Sequence, residues 1–555
     1  MKVKVYHDGD NAFIAWKPSG FIPSCRGFTL LRRRNGIEET VSTWVGFLGQ
    51  QHENGERRPS KDWPIQKYQW TDYMANPGDR LQYRVIPMVG PNKNNLRPDP
   101  ESASVWTDEI TLSYEVAPNI EAYFNRGIVA AQWVSRRLGI TGEDLKTKRL
   151  REVISTPGDP LRNYLAGPLG ARLFELLASA NKDKREIYAA LYELGDEQLE
   201  GQLEKFGKRA HIVLANASAK KKGDDPNRVA RERLSTKIDL HDRMIAPRAL
   251  GHNKFLVICN QRKTPQWVWT GSQNWTRTGL CTQANNSVLI DDLRIAKEYY
   301  EQWKLLKNAE DDTPDDLKAS NSNPRDFIVG NMPMRLWFTP TIGQVDLKEA
   351  RKIIQEEAEK AILFLMFNPG PKDTLLGEII DIAQKGIKGK RLYIRGVINQ
   401  DPSTKGTTVE LFESRNSEKT DFDVVLPAAI DMPTEWFNKE LKKLPEAFAM
   451  VHSKVVLIDP FSDHPALITG SHNLGPKASG KNDENLLVFR DTPGLAAAYA
   501  TNIMAIYNQY RWRFRTQIQP KTKRWRGLED TDKWQRGYLK KGSAALREID
   551  FWVGE

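Results

Sequence analysis

Two short segments of the chain repeat one pattern at nearly the same internal spacing. The first, HNKFLVIC at 252–259, precedes GSQN at 271–274, and the second, HSKVVLID at 452–459, precedes GSHN at 470–473. The distance from His to Gly is nineteen residues in the first copy and eighteen in the second. Because such a paired spacing is hard to produce by accident, it predicts an internal duplication of one folding unit.

The sequence around both copies alternates between strand and helix patterns. AHIVLAN, KFLVIC and QWVWTG read as strands around the first copy, after the helical stretches EAYFNRGIVAAQWVSRRLG and GARLFELLASANKDKREIYAALYE. Around the second copy, MRLWFTP, AILFLMFN, RLYIRGVIN, KVVLID and ALITG read as strands, with helical stretches such as DLKEARKIIQEEAEK between them. This alternation is typical of a mixed sheet covered by helices. We therefore predict an α/β fold in two pseudo-symmetric halves.

The remaining segments differ from the two halves in composition. Short strand patterns separated by turn-rich stretches predict an all-β sandwich at the N-terminus. The spacing of Trp16, the GFTLLRRR strand, Trp70 and the YRV strand resembles a fibronectin type III or immunoglobulin-like module. The predicted organisation is this sandwich at 1–115, a helical connector at 116–164, a first half at 165–308, a linker at 309–330, a second half at 331–515 and a basic, aromatic-rich tail at 516–555.

The repeated segments place polar groups where a cleft can form. Side chains two residues apart on a strand share a face, so His252 points the same way as Lys254. The same holds for His452 and Lys454. The apolar residues after each Lys indicate a buried central strand, with the polar pair at its start. A single His-x-Lys is usually an ordinary surface or edge pair, but two matched copies favour a functional site.

Both segments resemble the His-x-Lys-x4-Asp motif and downstream Gly-Ser-x-Asn of the phospholipase D superfamily. The second copy is complete, whereas the first has Cys259 at the Asp position. The resemblance covers residues 165–515 and implies a duplicated α/β/α sandwich. It also implies phosphodiester cleavage through a phosphohistidine intermediate, without a metal or another cofactor.

The resemblance assigns roles to the matching residues. His252 would attack phosphorus and His452 would protonate the departing oxygen, although the sequence itself is symmetric on this choice. The transition state places negative charge on the phosphoryl oxygens, which requires fixed donors. The expected donors are Lys254, Lys454, Asn274 and Asn473. The expected supporting residues are Ser272, Ser471, Asp459 and Glu484.

The change from Asp to Cys in the first copy is expected to leave the chemistry intact. The position lies seven residues after the His, an odd offset, so on a continuous strand it faces away from the His and Lys. Asp459 should therefore be structural, and Cys259, with its apolar neighbours, should be a small buried residue rather than a nucleophile. Three further histidines are weaker candidates for the cleft: His211, His241 and His472.

The charge balance favours an anionic partner. The chain has 82 Lys and Arg against 71 Asp and Glu, a formal net charge of +11, which suits nucleic acid or anionic phospholipid. The tail from Tyr510 interleaves basic and aromatic side chains, a combination that binds single strands. A helix packed on the catalytic region would give the same pattern. The expected substrate-binding residues are Lys220, Lys221, Lys222, Arg511, Trp512 and Arg513.

Composition argues against several other classes of protein. No run approaches the ~18 to 20 apolar residues needed to span a bilayer, and the charged N-terminal stretch lacks the apolar region of a secretory signal. The three cysteines are widely spaced and form no Cys-x-x-Cys pair, which argues against a disulfide framework or a structural zinc site. We therefore expect a cytoplasmic globular protein.

Three functions remain open at this stage. A metal-independent nuclease is favoured by the net charge and the basic, Trp-rich segments, with DNA and RNA equally open. A phospholipase D acting on head groups would use the same motifs. A catalytically degenerate scaffold, with a protein partner on the N-terminal module, is opposed by the intact His-Lys-Asn sets. One chain holds both motifs, so a monomer suffices for the site.

Overall fold

The N-terminal region is built of antiparallel β-strands. The computed structural model describes residues 1–51, 53, 56–127, 143–370, 373–399, 422–425, 451–513 and 525–555. The N-terminal strands are β1 (Lys2–His7), β2 (Ala12–Lys17), β3 (Cys25–Arg34), β4 (Ile37–Thr40), β5 (Ser42–Thr43), β6 (Arg58–Pro59), β7 (Gln69–Asp72), β8 (Arg80–Val89), β9 (Arg97–Pro98) and β10 (Ile110–Thr111).

These strands form two main sheets around one core. One sheet has the order β1-β2-β7 and the other β10-β8-β3-β4, with β9 paired to β8 and a separate ribbon of β5 and β6. Trp16 of the first sheet packs edge-on against Phe28 of the second, with ring centroids 5.6 Å apart. The predicted all-β region is therefore confirmed. Its likeness to fibronectin type III and its protein partner stay predictions.

The first half begins with two strands and alternates with helices after residue 143. Its strands are β11 (Glu115–Ala117), β12 (Ile120–Phe124), β13 (Ile187–Leu191), β14 (Leu194–Gly195), β15 (Ala210–Ala215), β16 (Asp239–Arg243), β17 (Lys254–Cys259), β18 (Pro265–Gly271), β19 (Trp275–Thr276) and β20 (Asn286–Asp291). Its helices are α1 (Glu143–Ser155), α2 (Pro160–Lys182), α3 (Glu197–Phe206), α4 (Arg228–Leu234), α5 (Arg277–Cys281) and α6 (Leu293–Ala309), with a 3₁₀ turn at Gly207–Arg209.

The second half follows the same plan. Its strands are β21 (Arg325–Val329), β22 (Met332–Thr339), β23 (Ala361–Met366), β24 (Tyr393–Ile398), β25 (Phe422–Val425), β26 (Lys454–Ile458), β27 (Ala466–Gly470) and β28 (Glu484–Arg490). Its helices are α7 (Asp315–Asn321), α8 (Val345–Glu357), α9 (Leu375–Lys385), α10 (Pro476–Gly480) and α11 (Pro493–Arg513), with a 3₁₀ turn at Ile342–Gln344.

The two large sheets have matching strand orders. The first is β11-β12-β20-β18-β17-β13-β15-β16 and the second is β21-β22-β28-β27-β26-β23-β24-β25. Each pair of neighbours has the same relative direction in both sheets; for example, β13–β15 and β23–β24 are parallel, whereas β13–β17 and β23–β26 are antiparallel. The predicted duplication of an α/β unit is confirmed.

The two sheets share one hydrophobic core. Tyr299 of α6 contacts Phe255 of the first sheet and Phe338 of the second, with ring centroids 5.0 Å apart in both contacts. From α11, Tyr499 contacts Phe124 of the first sheet at 5.0 Å. Strands such as β17 and β23 are buried along their whole length, because apolar layers cover both faces of each sheet.

The prediction of a helical connector at 116–164 is wrong for the first part of that segment. Residues 115–124 form β11 and β12 at the edge of the first sheet. Ile120 and Phe124 face the core shared with the second half, whereas Tyr123 faces the opposite core. β12 has five residues, of which only Glu121 is charged and the other four are buried, so the strand gives little of the polar alternation by which strands are recognised.

Two more segments differ from the prediction. IYAAL, interpreted as the end of a helix, is the central strand β13, since α2 ends at Lys182. The predicted linker at 309–330 contains α7 and the edge strand β21. Leu317 and Asn321 of α7 are buried, so this polar-looking segment is anchored by a few inward side chains.

The end of the predicted tail packs on the N-terminal module. Its elements are a 3₁₀ turn at Asp532–Trp534, α12 (Gln535–Leu539) and α13 (Ala544–Val553). Trp534 enters the core of the module, and Trp552 packs against Phe13 at 4.5 Å and donates from Nε1 to the hydroxyl of Tyr393 in the second half at 3.2 Å. For residues 525–555, the interpretation as a packed segment is therefore the better one. No helix in the described part of the chain has the length and apolar character required to span a membrane.

Candidate active site

The two histidine-lysine pairs lie at the starts of equivalent central strands. Lys254 is the first residue of β17 and Lys454 the first of β26, and each His comes two residues earlier. His252, Lys254, His452 and Lys454 are only 1 to 3% exposed. A charged group in such a position needs close compensating partners, which the surrounding loops provide.

The Gly-Ser-x-Asn segments follow strands that run beside β17 and β26. A Cβ on Gly271 would lie 2.2 Å from the carbonyl oxygen of Asn286, and one on Gly470 would lie 2.4 Å from that of Asn485. Only Gly permits this approach of the neighbouring strand. Ser272 then accepts a hydrogen bond at Oγ from the N–H of Asn286 (3.0 Å), and the second copy repeats this contact between Ser471 and Asn485 (3.0 Å).

Each imidazole is held by a residue from the opposite half. His252 Nδ1 lies 3.2 Å from Glu484 Oε2, and His452 Nδ1 lies 2.9 Å from Asn285 Oδ1. Asn285 Nδ2 donates to the carbonyl oxygen of Gly279 at 2.9 Å, so its oxygen faces the imidazole and accepts the Nδ1 proton. With Nδ1 turned to these partners, each ring directs Nε2 away from them, and the His452 ring also makes a hydrogen bond to the backbone of Ser272.

The halves are joined beside these contacts. The N–H groups of His452 and Ser453 both donate to the carbonyl oxygen of Ala284, at 2.9 and 3.0 Å. Arg243 of β16 donates from Nε and Nη2 to the carboxylate of Asp483 at 2.9 and 3.1 Å. Both of these charged side chains are 1% exposed, and Asp483 immediately precedes Glu484. This bidentate pair therefore connects the first half to the loop that carries the Glu484 carboxylate.

Both lysines are held in the same way. Lys254 Nζ donates to the carbonyl oxygen of His252 at 2.8 Å and lies 4.7 Å from the ring centroid of Tyr192. Lys454 Nζ donates to the carbonyl oxygen of His452 and lies 4.8 Å from the ring centroid of Phe367. The aromatic faces stabilise the ammonium groups and also contact the imidazoles, at 4.5 Å for Tyr192–His252 and 4.8 Å for Phe367–His452.

Burial governs the electrostatics of the site. Burial, and then the Lys254 charge, lower the pKa of His252 to about 4 against the opposing effect of Glu484. Burial and both lysines lower the pKa of His452 well below its ordinary value. Burial lowers the pKa of Lys254 to about 7, and burial and the Lys254 charge hold that of Lys454 well below its ordinary value. A concentration of buried cationic groups is stabilised by an anion, which is what a phosphodiester supplies.

The sequence analysis did not predict four residues of the site: Tyr192, Glu193, Asn285 and Phe367. Asn285 lies thirteen residues after Ser272, as Glu484 does after Ser471, so alignment of the two copies would have found it. The two aromatic residues follow β13 and β23, the strands that pair with β17 and β26. Glu193 Oε2 accepts a hydrogen bond from Asn274 Nδ2 at 2.5 Å.

The Asp and Cys positions lie away from the imidazoles. The Asp459 carboxylate accepts three backbone N–H groups, those of Glu359, Lys360 and Ala361, at 2.6 to 2.8 Å. It thereby fixes the start of β23. Cys259 is fully buried, and burial raises the pKa of its thiol to about 12. Both positions have the structural character expected from their odd offset.

The other histidines have separate partners. His472 is fully buried, accepts the N–H of Leu474 at Nδ1 (2.9 Å), and has its Nε2 3.1 Å from Asp346 Oδ2. It therefore anchors the Gly-Ser-x-Asn segment to α8. His211 Nδ1 and His241 Nε2 lie 2.6 and 3.0 Å from the two carboxylate oxygens of Asp239, on the edge strand β16 and its neighbour β15.

The predicted substrate-binding residues fall in two places. Lys220, Lys221 and Lys222 are exposed in the loop after β15, and Ser218 of the same loop makes a hydrogen bond to the side chain of Tyr192. Arg511 is buried, and the Trp512 ring packs 5.0 Å from that of Trp525 and 5.6 Å from Lys67 Nζ of the N-terminal module. Arg513 ends α11, and its side chain lies outside the described residues.

In the described ranges, no group of three or more His, Cys, Asp or Glu side chains is arranged to hold a metal ion.

Comparison with known proteins bears on the family. The family described as "Cardiolipin synthase, PLD-like domain" matches residues 173–306 and 353–507, together more than half of the chain. Comparison with curated proteins finds none that matches.

Solved structures of similar fold include three at low identity. Phosphatidylserine synthase of Haemophilus influenzae is 12% identical over 60% of this chain and 84% of its own, with a TM-score of 0.41. Yeast tyrosyl-DNA phosphodiesterase is 13% identical over 56% and 84%, with a TM-score of 0.29. Polyphosphate kinase from Porphyromonas gingivalis is 12% identical over 57% of this chain and 45% of its own, with a TM-score of 0.37, so this chain spans less than half of the kinase. On the match to both halves, the chain belongs to the phospholipase D-like family, whose enzymes act on phosphodiesters.

Proposed function

We propose that the chain is a metal-independent phosphodiesterase that works through a phosphohistidine intermediate, with nucleic acid as its favoured substrate. The observation that carries this proposal is the pair of buried imidazoles, each held at Nδ1 by the opposite half, beside two buried ammonium groups. Lys254, Lys454, Asn274 and Asn473 are the groups proposed to stabilise the phosphoryl oxygens, as preorganised donors do in water-excluded sites.

In the first step, His252 Nε2 attacks phosphorus. The P–N bond forms as the P–O bond to the leaving group breaks, and the departing oxygen takes the Nε2 proton of His452. In the second step, a water oxygen attacks phosphorus, and its proton passes to His452 Nε2 as the P–N bond breaks. His252 is released as a neutral imidazole, and the products are a phosphate monoester and an alcohol.

The unequal partners of the imidazoles support this division of roles. Phosphorylation at Nε2, with the Nδ1 proton retained, gives the ring of His252 a positive charge for the lifetime of the intermediate. The Glu484 carboxylate, 3.2 Å away, stabilises that charge better than an amide does. His452 must instead give up a proton, and its amide partner Asn285 leaves the imidazolium a stronger acid. Burial opposes ionisation of Glu484, but the neighbouring His252 and His472 hold the pKa of its carboxyl below the ordinary value.

Nucleic acid is favoured by the charge beside the site. The exposed run Lys220–Lys222 lies in the loop after β15. Ser218 of that loop makes a hydrogen bond to the side chain of Tyr192. Such a cluster suits a substrate with several phosphates. Phospholipid is the second candidate, because the matching family is described by a cardiolipin synthase and one similar structure is a phosphatidylserine synthase.

The experiment that tests the proposal compares substrates at constant conditions. Labelled single-stranded DNA, duplex DNA, RNA and phosphatidylcholine vesicles are incubated with the intact chain in excess EDTA. His252→Ala and His452→Ala are the test variants, and His464→Ala, an exposed His paired with Asp491, is the matched control. We expect nucleic-acid cleavage by the wild type and the control alone. Head-group release with intact nucleic acid would transfer the assignment to phospholipid, and inactivity on all four substrates would contradict the enzyme proposal.

A further inference from the structure

Glu193 is a carboxylate of the site that the duplication does not reproduce. It follows Tyr192, and the matching residue of the second half, which follows Phe367, is the exposed Asn368. The two halves therefore carry a negative and a neutral side chain at equivalent places beside the two lysines. The proposed assignment of His252 as nucleophile and His452 as general acid involves Glu484 but gives Glu193 no role.

Strand pairing fixes Glu193 beside Asn274. Leu194 of β14 pairs with Trp275 of β19 in a parallel register, so the residues that precede these two are neighbours. The N–H of Trp275 donates to the carbonyl oxygen of Glu193 at 3.1 Å. The side chains then meet, and Asn274 Nδ2 donates to the carboxylate at 2.5 Å. The short β14–β19 ribbon thus aims this carboxylate at the amide of the Gly-Ser-x-Asn turn.

The carboxylate also acts on the lysine charges. The negative charge of Glu193 raises the pKa of Lys254 and of Lys454, as the charge of Glu484 does, whereas burial lowers both. In the empty site, Glu193 therefore offsets part of the positive charge that a bound phosphate would offset. Asn274 Nδ2 has two N–H groups, and Glu193 accepts from one of them, so a phosphoryl oxygen that takes this N–H displaces the carboxylate.

We propose that Glu193 is an internal counter-anion that occupies the Asn274 donor in the empty site and selects singly charged phosphodiesters over doubly charged phosphate monoesters. The inference rests on the proposed function, because it assumes that a phosphate binds among these donors. A phosphodiester has one negative charge, whereas a monoester, with its second pKa near 6, has almost two at neutral pH. A displaced carboxylate held nearby by β14 repels the dianion more strongly. It thereby weakens binding of the monoester product and reoccupies Asn274 as that product leaves.

The test measures both classes of ligand on the intact chain. Calorimetry gives the Kd of phenyl phosphate at pH 7.5, and hydrolysis gives the KM of bis(p-nitrophenyl) phosphate. Glu193→Gln, which keeps the size of the side chain, should bind phenyl phosphate about tenfold more tightly and should lower the KM of the singly charged diester by about threefold, since half the charge gives half the change in free energy. Equal changes for the two ligands, or no gain for the monoester, would overturn the proposal.

Three further variants separate charge from structure. Glu193→Asp keeps the charge and should stay within about threefold of the wild-type Kd. Glu197→Gln removes an exposed carboxylate four residues away, in the first turn of α3, and should change neither value. Asn368→Glu places a carboxylate at the equivalent position of the second half and should weaken phenyl phosphate binding. A Kd in Asn368→Glu that equals the wild-type value would contradict the electrostatic explanation.

Failure of this inference and failure of the proposed function have different signatures. If the wild type hydrolyses diesters and both His variants are inactive, but the Kd of Glu193→Gln is unchanged, the function stands and the role of Glu193 fails. If no diester is hydrolysed but Glu193→Gln binds phenyl phosphate more tightly, the counter-anion role stands without the hydrolase function.

Discussion

The two halves of the catalytic region share one scaffold and differ in the groups that touch their histidines. In both, the His-x-Lys pair opens a central strand and an aromatic ring contacts the imidazole and the ammonium group. The first imidazole, however, faces the Glu484 carboxylate, and the second faces the Asn285 amide. Under the proposed function, the shared features form a symmetric receptor for one phosphate. The different partners, a carboxylate and an amide, can give the two structurally equivalent imidazoles unequal roles.

The largest loss of activity is expected from removal of either histidine. Substrates with different leaving groups distinguish the roles of the two residues. His252→Ala should lower kcat by at least about 10⁴-fold on every diester, because no nucleophile remains. His452→Ala should lower kcat about 10³-fold for alkyl leaving groups, which need a proton. For p-nitrophenolate, which departs without one, formation of the intermediate should fall about tenfold or less. Stopped-flow release of p-nitrophenol measures this first step, and an equal loss in both variants would contradict unequal roles.

The next largest losses of kcat are expected from changes at the residues that contact the histidines. Glu484→Gln should lower kcat about 100-fold, because a neutral amide no longer stabilises the cationic phosphohistidine ring. Asn285→Ala should lower it about tenfold, since His452 keeps its proton donor function but loses its fixed orientation. Steady-state kinetics on one diester at pH 6 gives both values. A larger loss in Asn285→Ala than in Glu484→Gln would reverse the assignment of nucleophile and acid.

The acid limit of kcat/KM should be set by His252, and the alkaline limit by the buried cationic groups of both halves. The pKa of His252 is about 4 in the empty site, so this imidazole becomes protonated and loses its nucleophilic lone pair only as pH falls through about 4. Burial lowers the pKa of Lys254 to about 7 and holds those of His452 and Lys454 well below their ordinary values, so kcat/KM should fall by at least about tenfold per unit above pH 7. In Lys254→Arg the decline above pH 7 should become shallower, because the guanidinium stays charged while His452 and Lys454 still lose their protons. An unchanged decline would assign it to another group.

The smallest effect on catalysis is expected at the Asp and Cys positions. Asp459→Ala leaves three N–H groups, one buried and two partly buried, without the acceptor they have in the wild type and should lower the free energy of unfolding by about 2 to 4 kcal/mol. Cys259→Ala should lower it by about 1 kcal/mol. Urea titration measures both, and kcat per folded molecule should stay within about twofold of wild type. A large loss of kcat in folded Asp459→Ala would show that the residue acts in chemistry.

The sequence predicted those parts of the site that are local in the chain. The spacing of His252, Lys254 and Asn274, repeated two hundred residues later, was enough to predict the duplication. The odd offset of Asp459 was enough to predict that its side chain faces away from the imidazole. Strand periodicity and turn chemistry operate over short distances, which is why these features could be read directly.

Other parts depend on contacts between distant segments. The pairing of His252 with Glu484, and of His452 with Asn285, requires the two sheets to pack against each other. Tyr192 and Glu193 were missed because IYAAL, a short apolar strand with no polar alternation, followed a genuine helix. The basic and aromatic pattern around Trp512 has the same composition whether it binds nucleic acid or packs on the N-terminal module, as its ring does here.

The most direct test of unequal roles is to identify the residue that becomes phosphorylated. The His452→Ala variant is mixed with a p-nitrophenyl phosphodiester, so that the first step proceeds and the second, which lacks its base, is slow. The reaction is then denatured at alkaline pH, where phosphohistidine survives, and peptides are mapped by mass spectrometry. The account predicts a substituted phosphoryl group on His252. In a parallel reaction of His252→Ala, a phosphoryl group on His452 would contradict it.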